Sequence, residues 1–214
     1  YSDFSQQKEF TENASHEMQT PLAVIKAHLD LLIQSPHLKE EEMNHLQAIE
    51  NTTKKLASLN KALILLSKID NHQFKESGSI SFKTIIDKVT RQYADVIQSK
   101  KISLDVTIDA DVTINMNAAL ADILISNLLQ NAIRHNLESG KISIHLNQQT
   151  MSISNSGKPL TIDPKDLFVR FKKDDSSIDS LGIGLSITKS ILDSYGYSIS
   201  YHYLNQLHVF ELKF

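Results

Sequence analysis

The sequence contains no cysteine. That excludes disulfides, thiol nucleophiles and thiolate zinc sites, and it fits a reducing compartment. Long apolar runs are missing as well: none approaches the ~20 residues that a bilayer-spanning helix needs, and no signal peptide is visible. Nor is there a surplus of positive charge. A formal net charge of −3 and a pI of about 6.3 give no basic surface for nucleic acid. Internal repeats and low-complexity segments are absent too. The sequence opens in mid-pattern at Tyr1-Ser2-Asp3-Phe4, so any sensor or membrane segment is expected upstream of it.

What is present divides into two patterns. The 214 residues suffice for one large or two small domains. Met18, Leu22, Ile25, Leu29 and Leu32 alternate in steps of four and three, the seam of a bundled helix over about Asp3 to Gln34. A turn at Ser35-Pro36-His37 follows, because Pro36 cannot continue a helix and restricts Ser35. Glu40-Glu41-Glu42 opens a second helix with acidic residues where the dipole favours them. Leu46, Ile49, Leu56, Leu59, Leu63 and Leu66 stripe it to about Asn71. A lone hairpin covers two such stripes poorly, so a dimeric four-helix bundle is expected. The rival is a single hairpin packed on the rest of the chain.

Beyond a linker at Asn71 to Ser81 the pattern changes. A helix is expected over Phe82 to Lys100 and a longer one over Ala118 to Asn136. Strands are expected at Ile102–Ile108 and Val112–Asn115, with hairpins at Lys141–Asn147 with Met151–Ser154, and at Ile199–Tyr203 with His208–Phe214. Thr161 to Ser180 reads as a mobile loop, and Gly184 to Tyr195 as a helix. The class is α+β in two domains: a helical hairpin, then an α/β sandwich with a mixed sheet and one helical layer.

Three segments carry candidate chemistry. His16 lies off the apolar seam, towards water, with Glu17 beside it and Thr20 on the same face one turn on. A neutral imidazole is a nucleophile near pH 7, and a carboxylate can fix its tautomer and stabilise the cation formed on attack. Pro21 either kinks this helix beside His16 or starts a helix capped by Thr20. Asn127, Asn131 and Arg134 form one polar stripe on an otherwise apolar helix. An amide oxygen is a hard, uncharged ligand suited to Mg²⁺, and a cation beside it can meet phosphates; a merely solvated face is the plainer account. Near the C-terminal end, Gly182 and Gly184 precede a helix, where bare backbone amides can cradle phosphate.

The string His16-Glu17-Met18-Gln19-Thr20-Pro21-Leu22 resembles the H-box of sensor histidine kinases. Three further segments resemble that family's nucleotide motifs in its order. Asn127 to His135 is similar to the N-box, also found in gyrase, Hsp90 and MutL. Leu167-Phe168-Val169-Arg170-Phe171-Lys172-Lys173 is similar to the F-box, and Leu181-Gly182-Ile183-Gly184-Leu185 to the G2 box. Between them, Asn155-Ser156-Gly157-Lys158-Pro159 stands where the family has Asp-x-Gly-x-Gly, with the Asp accepting the adenine amine. Asn155 replaces the Asp and Pro159 the second Gly; the Asn155 oxygen can still accept that bond without charge.

The resemblance implies a phosphoacceptor and dimerisation domain at 1–77 and a catalytic ATP-binding domain at 78–214. It implies His16 as phosphoacceptor, with Glu17 as base or imidazolium stabiliser. Thr20 would orient a water for dephosphorylating the partner. Asn131 becomes the Mg²⁺ ligand, with Asn127, Arg134 and His135 at metal or phosphate. Asn155, Gly157, Phe168, Lys172, Gly182, Gly184 and Leu185 complete the ATP site. The implied partners are a second copy of the chain and the receiver domain of a response regulator, whose aspartate takes the phosphoryl group. Nucleic acid is not among them, and a membrane enters only through segments outside this sequence. The expected setting is the cytoplasmic portion of a membrane-anchored bacterial sensor, with reverse phosphatase activity as well. The alternative is a degenerate kinase serving as a nucleotide-regulated scaffold or as a response-regulator phosphatase. An ATPase of the Hsp90 or gyrase type would not need the His16 helix.

Overall fold

The computed structural model describes residues 2–34, 38–74, 77–172 and 182–214, and side chains from Met18 onward. The chain forms two compact units, Tyr1–Asn71 and His72–Phe214. The first consists of helices α1 (Ser2–Ile33) and α2 (Glu40–Asp70), packed on each other. Pro21 lies inside α1, so of the two readings of Thr20-Pro21 the continuous helix is the one found. At the start of α2 the Lys39 amide donates to Glu42 Oε2 at 2.9 Å, and Glu40, Glu41 and Glu42 fill the first turn. The expected turn at 35–37 lies outside the described residues.

The apolar seam is only partly covered within one chain. Leu29 is buried, but Met18, Ile25 and Leu32 are exposed, as are Ile49 and Leu56 of the α2 stripe.

The second unit begins with a strand that the sequence reading left inside the linker: β1 (Gly78–Ser81) pairs antiparallel with β3 (Thr113–Met116). Helix α3 (Phe82–Gln92) follows directly, capped by Ser81, whose Oγ accepts from the Thr84 amide at 3.1 Å. The helix expected to run on to Lys100 breaks at Tyr93 (φ −99°, ψ 5°), and α4 (Ala94–Ser99) is separate. The Tyr93 hydroxyl accepts a hydrogen bond from Gln130 of the long helix α5 (Ala118–Arg134).

The main sheet has the order β2-β4-β5-β7-β6, with β2 (Ser103–Ile108), β4 (Lys141–Leu146), β5 (Thr150–Ser156), β6 (Ser198–Leu204) and β7 (Leu207–Lys213). Only the β2–β4 pairing is parallel. Alternation places Ile142, Ile144, Leu146, Met151, Ile153, Phe210 and Leu212 on one buried face, covered by α5 and by α6 (Gly184–Ser194). The other face carries Lys141, Ser143, His145, Ser152, Ser154 and Glu211. This is the expected mixed sheet with one helical layer.

Helix α5 is the spine of the unit. Asn117 caps it, with Oδ1 accepting from the amides of Ala119 and Leu120 at 3.0 and 3.3 Å. Leu120, Leu124, Ile125, Leu128, Leu129 and Ile133 are all buried. Each contributes about 1.5–3 kcal/mol by burial, against a helix-propensity cost of at most about 0.7 kcal/mol per asparagine. The apolar side therefore carries the helix and leaves the stripe of Asn127 and Asn131 free to serve another purpose.

Candidate nucleotide and phosphoacceptor sites

Helix α5 touches both ends of the candidate nucleotide site. The Asn127 Nδ2 donates to the Gly184 carbonyl at 3.3 Å, tying α5 to the N-terminus of α6. At the other end the Asn155 Nδ2 donates to the carbonyl of His135, the α5 C-cap, at 3.4 Å, and to that of Ser156 at 2.9 Å. Asn127 and His135 are two turns apart, about 12 Å along the axis. Half-buried Asn131 lies one turn from each, and exposed Arg134 follows on the same stripe.

The α6 end has the features of a phosphate cradle. Its N-cap, Ile183, offers no side-chain bond to the first amides, which leaves them without an N-cap side chain among the described residues. Leu185 follows, half-buried. The two glycines serve different purposes. Gly182 has φ +65°, and a Cβ there would stand 2.6 Å from the Lys172 carbonyl. Gly184 has room, its nearest neighbour being Asn127 at 3.9 Å. Gly182→Ala should therefore cost about 1–2 kcal/mol in stability from the left-handed backbone alone, seen in thermal or urea unfolding. Gly184→Ala should unfold like the parent chain yet bind ATP at least about tenfold more weakly, because only a ligand is crowded by the added methyl. Unchanged affinity would remove Gly184 from the phosphate cradle.

Asn155 is 1% exposed and lies within β5 rather than in a turn. Two carbonyls face its side chain on one side, and only the amide nitrogen can satisfy them. Oδ1 is the side chain's other polar atom. The two carbonyls explain why asparagine suits this chain. Asn155→Asp would set a carboxylate against two carbonyl oxygens, so we expect a loss of about 1–3 kcal/mol at pH 7. Burial and the carbonyls raise that carboxyl's pKa in the folded state, so the deficit shrinks as pH falls and protonation restores a donor. Urea unfolding at pH 7 and pH 5 measures both.

Phe168 ends a short 3-10 helix (Pro164–Phe168) and meets Phe210 of β7 edge to face at 6.4 Å between centroids. Lys172 pairs with Asp166 at 2.7 Å. The Phe171 amide donates to the Gly182 carbonyl at 2.9 Å, so the chain leaves and re-enters the site at one point. Residues 173–181, which include Lys173, Leu181 and the last part of the expected mobile loop, lie outside the described residues. So do the side chains of His16 and Glu17; their backbone belongs to α1, and Thr20 is exposed on it.

The sequence reading missed His208, Tyr201 and Tyr203, which pack beneath the turn after Asn155. The available signal was the alternation of the last two strands, which places a histidine on the core side of β7.

A two-helix unit and an α/β unit with these motifs on one chain match two family models. Residues 6–72 match the His Kinase A (phospho-acceptor) domain, and residues 117–211 match the histidine kinase-, DNA gyrase B- and HSP90-like ATPase. The chain belongs to the sensor histidine kinases. Heme sensor protein HssS of Staphylococcus aureus (strain Newman) is 34% identical over 208 residues, covering 92% of this chain and 44% of that protein. HssS of Staphylococcus saprophyticus is 30% identical over 192 residues, 86% and 41%. The chain thus spans less than half the length of these curated relatives. Among solved structures, the Acinetobacter baumannii histidine kinase AdeS shares the fold with a TM-score of 0.66 at 21% identity, over 92% of this chain and 96% of that one. The catalytic domain of histidine kinase ThkA gives 0.57 at 25% identity, over 64% and 95%.

Proposed function

We propose that this chain is an ATP-dependent protein-histidine kinase that phosphorylates its own His16 and passes the phosphoryl group to an aspartate of a response regulator. The observation that carries the reading is the His16-Glu17-Met18-Gln19-Thr20-Pro21-Leu22 string on a helix joined, in one chain, to a unit whose Asn127 and Asn131 stripe is bonded to the start of α6 through Asn127. The His16 imidazole attacks the γ-phosphorus of ATP while Glu17 accepts the ring proton or steadies the imidazolium. Asn155 reads the base. The first amides of α6 hold phosphate, with Arg134, His135 and Lys172 at hand. The half-buried amides of Asn131 and Asn127 fit Mg²⁺, which when bound supplies neutralisation of phosphate charge. Catalysis is otherwise positioning.

The exposed Met18, Ile25, Leu32, Ile49 and Leu56 support dimerisation through the hairpin, since one chain leaves this apolar surface uncovered. A response regulator would dock beside His16, with Thr20 orienting water for the reverse reaction. None of the helices among the described residues is long and apolar enough to cross a membrane. We place the chain as the cytoplasmic portion of a membrane-anchored sensor, with residues 1–77 as the phosphoacceptor part and 78–214 as the catalytic part. Incubation with γ-labelled ATP and Mg²⁺ tests the reading: the product should be acid-labile and base-stable, as a phosphohistidine is. A dimer that binds nucleotide but takes no label would indicate a scaffold.

A further inference from the structure

We infer that His208 is a positioning residue for the nucleotide: its imidazole is the wall on which Gly157 is seated, so glycine at 157 is demanded by His208 and not by ATP. The inference rests on the ATP-binding reading above and deepens it.

Asn155, His208 and Tyr203 form one row across β5, β7 and β6 by register. His208 is 5% exposed. Gly157 follows immediately after β5, and a Cβ there would come under 3.0 Å from both Cδ2 and Nε2 of His208. Its φ is outside the left-handed region, so the backbone does not require glycine. What requires it is space: the imidazole takes most of it, and the His135 carbonyl stands 3.1 Å from the same point.

The wall is itself fixed. Tyr201 Oη and His208 Nδ1 are hydrogen-bonded at 2.7 Å, which sets the rotation of the ring. The same hairpin grips the glycine backbone from both sides: Tyr203 Oη donates to the Gly157 carbonyl at 3.0 Å, and the Gly157 amide donates to the Gln206 carbonyl at 3.1 Å. Asn205 (φ +52°) and Gln206 (φ +63°) form the two-residue loop of the β6–β7 hairpin, whose turn takes positive φ at both positions, and Gln206 presents that carbonyl. The β6–β7 hairpin thus sets Gly157, and through it Asn155 two residues earlier, which reads the base.

The test is a double-mutant cycle in the full chain with Gly157→Ala, His208→Ala, both together, and Gly157→Ala with His208→Phe. Thermal unfolding is read first, then affinity for a fluorescent ATP analogue, then the nucleotide KM and saturating rate of autophosphorylation. Gly157→Ala should lower the melting temperature and weaken nucleotide binding about tenfold or more, with the loss falling on KM. Adding His208→Ala should recover part of both losses, because the ring is gone and only the His135 carbonyl, 3.1 Å from the added methyl, stays close. Adding His208→Phe should recover neither, because a ring still stands there. Additive melting losses, or recovery with phenylalanine as complete as with alanine, would overturn the wall. Recovered stability without recovered affinity would overturn the positioning role and return Gly157 to direct contact with ATP. Failure of the unsubstituted chain to bind nucleotide would instead overturn the ATP reading, since the melting cycle needs no ligand.

Discussion

Replacing His16 by alanine is expected to bring autophosphorylation down to background while leaving ATP affinity within about twofold of the parent. The reasoning is chemical. A phosphoryl group leaving ATP needs a nucleophile, and alanine offers none. The residues expected to hold ATP, from Asn127 to Leu185, belong to the other compact unit, which keeps its own core. Two measurements on one preparation decide it: label retained after gel separation, and binding of a fluorescent ATP analogue. Normal labelling would disqualify His16. Loss of both activities would point to a folding defect, which a thermal melt detects. His16→Gln, which keeps a polar side chain but not the nucleophile, should behave like alanine.

Replacing Asn131 by alanine should reduce autophosphorylation by about 100-fold or more, with the Mg²⁺ dependence of nucleotide binding lost or much weakened. The amide is half-buried, midway between the turn that touches Gly184 and the turn that receives Asn155. No other side chain on that face of α5 lies one turn from both ends. Removing it leaves the six buried Leu and Ile residues untouched, so stability should stay within about 1 kcal/mol. Asn131→Asp keeps an oxygen ligand and adds charge, so it should retain more activity than alanine. Equal Mg²⁺ dependence in the parent and the alanine variant would show that the metal is held elsewhere.

These two residues also show what the sequence could convey. His16 stands out because neighbouring residues in the chain are neighbours on a helix, so His16, Glu17 and Thr20 can be placed without coordinates. Asn131 stands out for the same reason, since a polar stripe at intervals of four and three is visible on an apolar helix. Paired alternating strands were legible too. Strand β1 was not, because Gly78-Ser79-Ile80-Ser81 has no pattern of its own and is ordered by β3, more than thirty residues on. The break at Tyr93 was hidden because the apolar periodicity runs through it, and its side chain is bonded to Gln130 on another helix. The burial and amide orientation of Asn155 depend on His135, and the seat of Gly157 depends on His208. Contacts of that kind join residues too far apart in the chain for periodicity to reveal.

The attachment of the nucleotide segment to α5 has an evolutionary consequence. Residues 158–183 start beside the His135 carbonyl, where Gly157 sits, and end at Gly184, held by Asn127. Both anchor points belong to one helix, so the number of residues between them can change without shifting any strand. Closing a flexible loop of twice the length costs only about 0.6 kcal/mol. Insertions and deletions should therefore accumulate there, while the spacing from Asn127 to His135 stays constant among relatives.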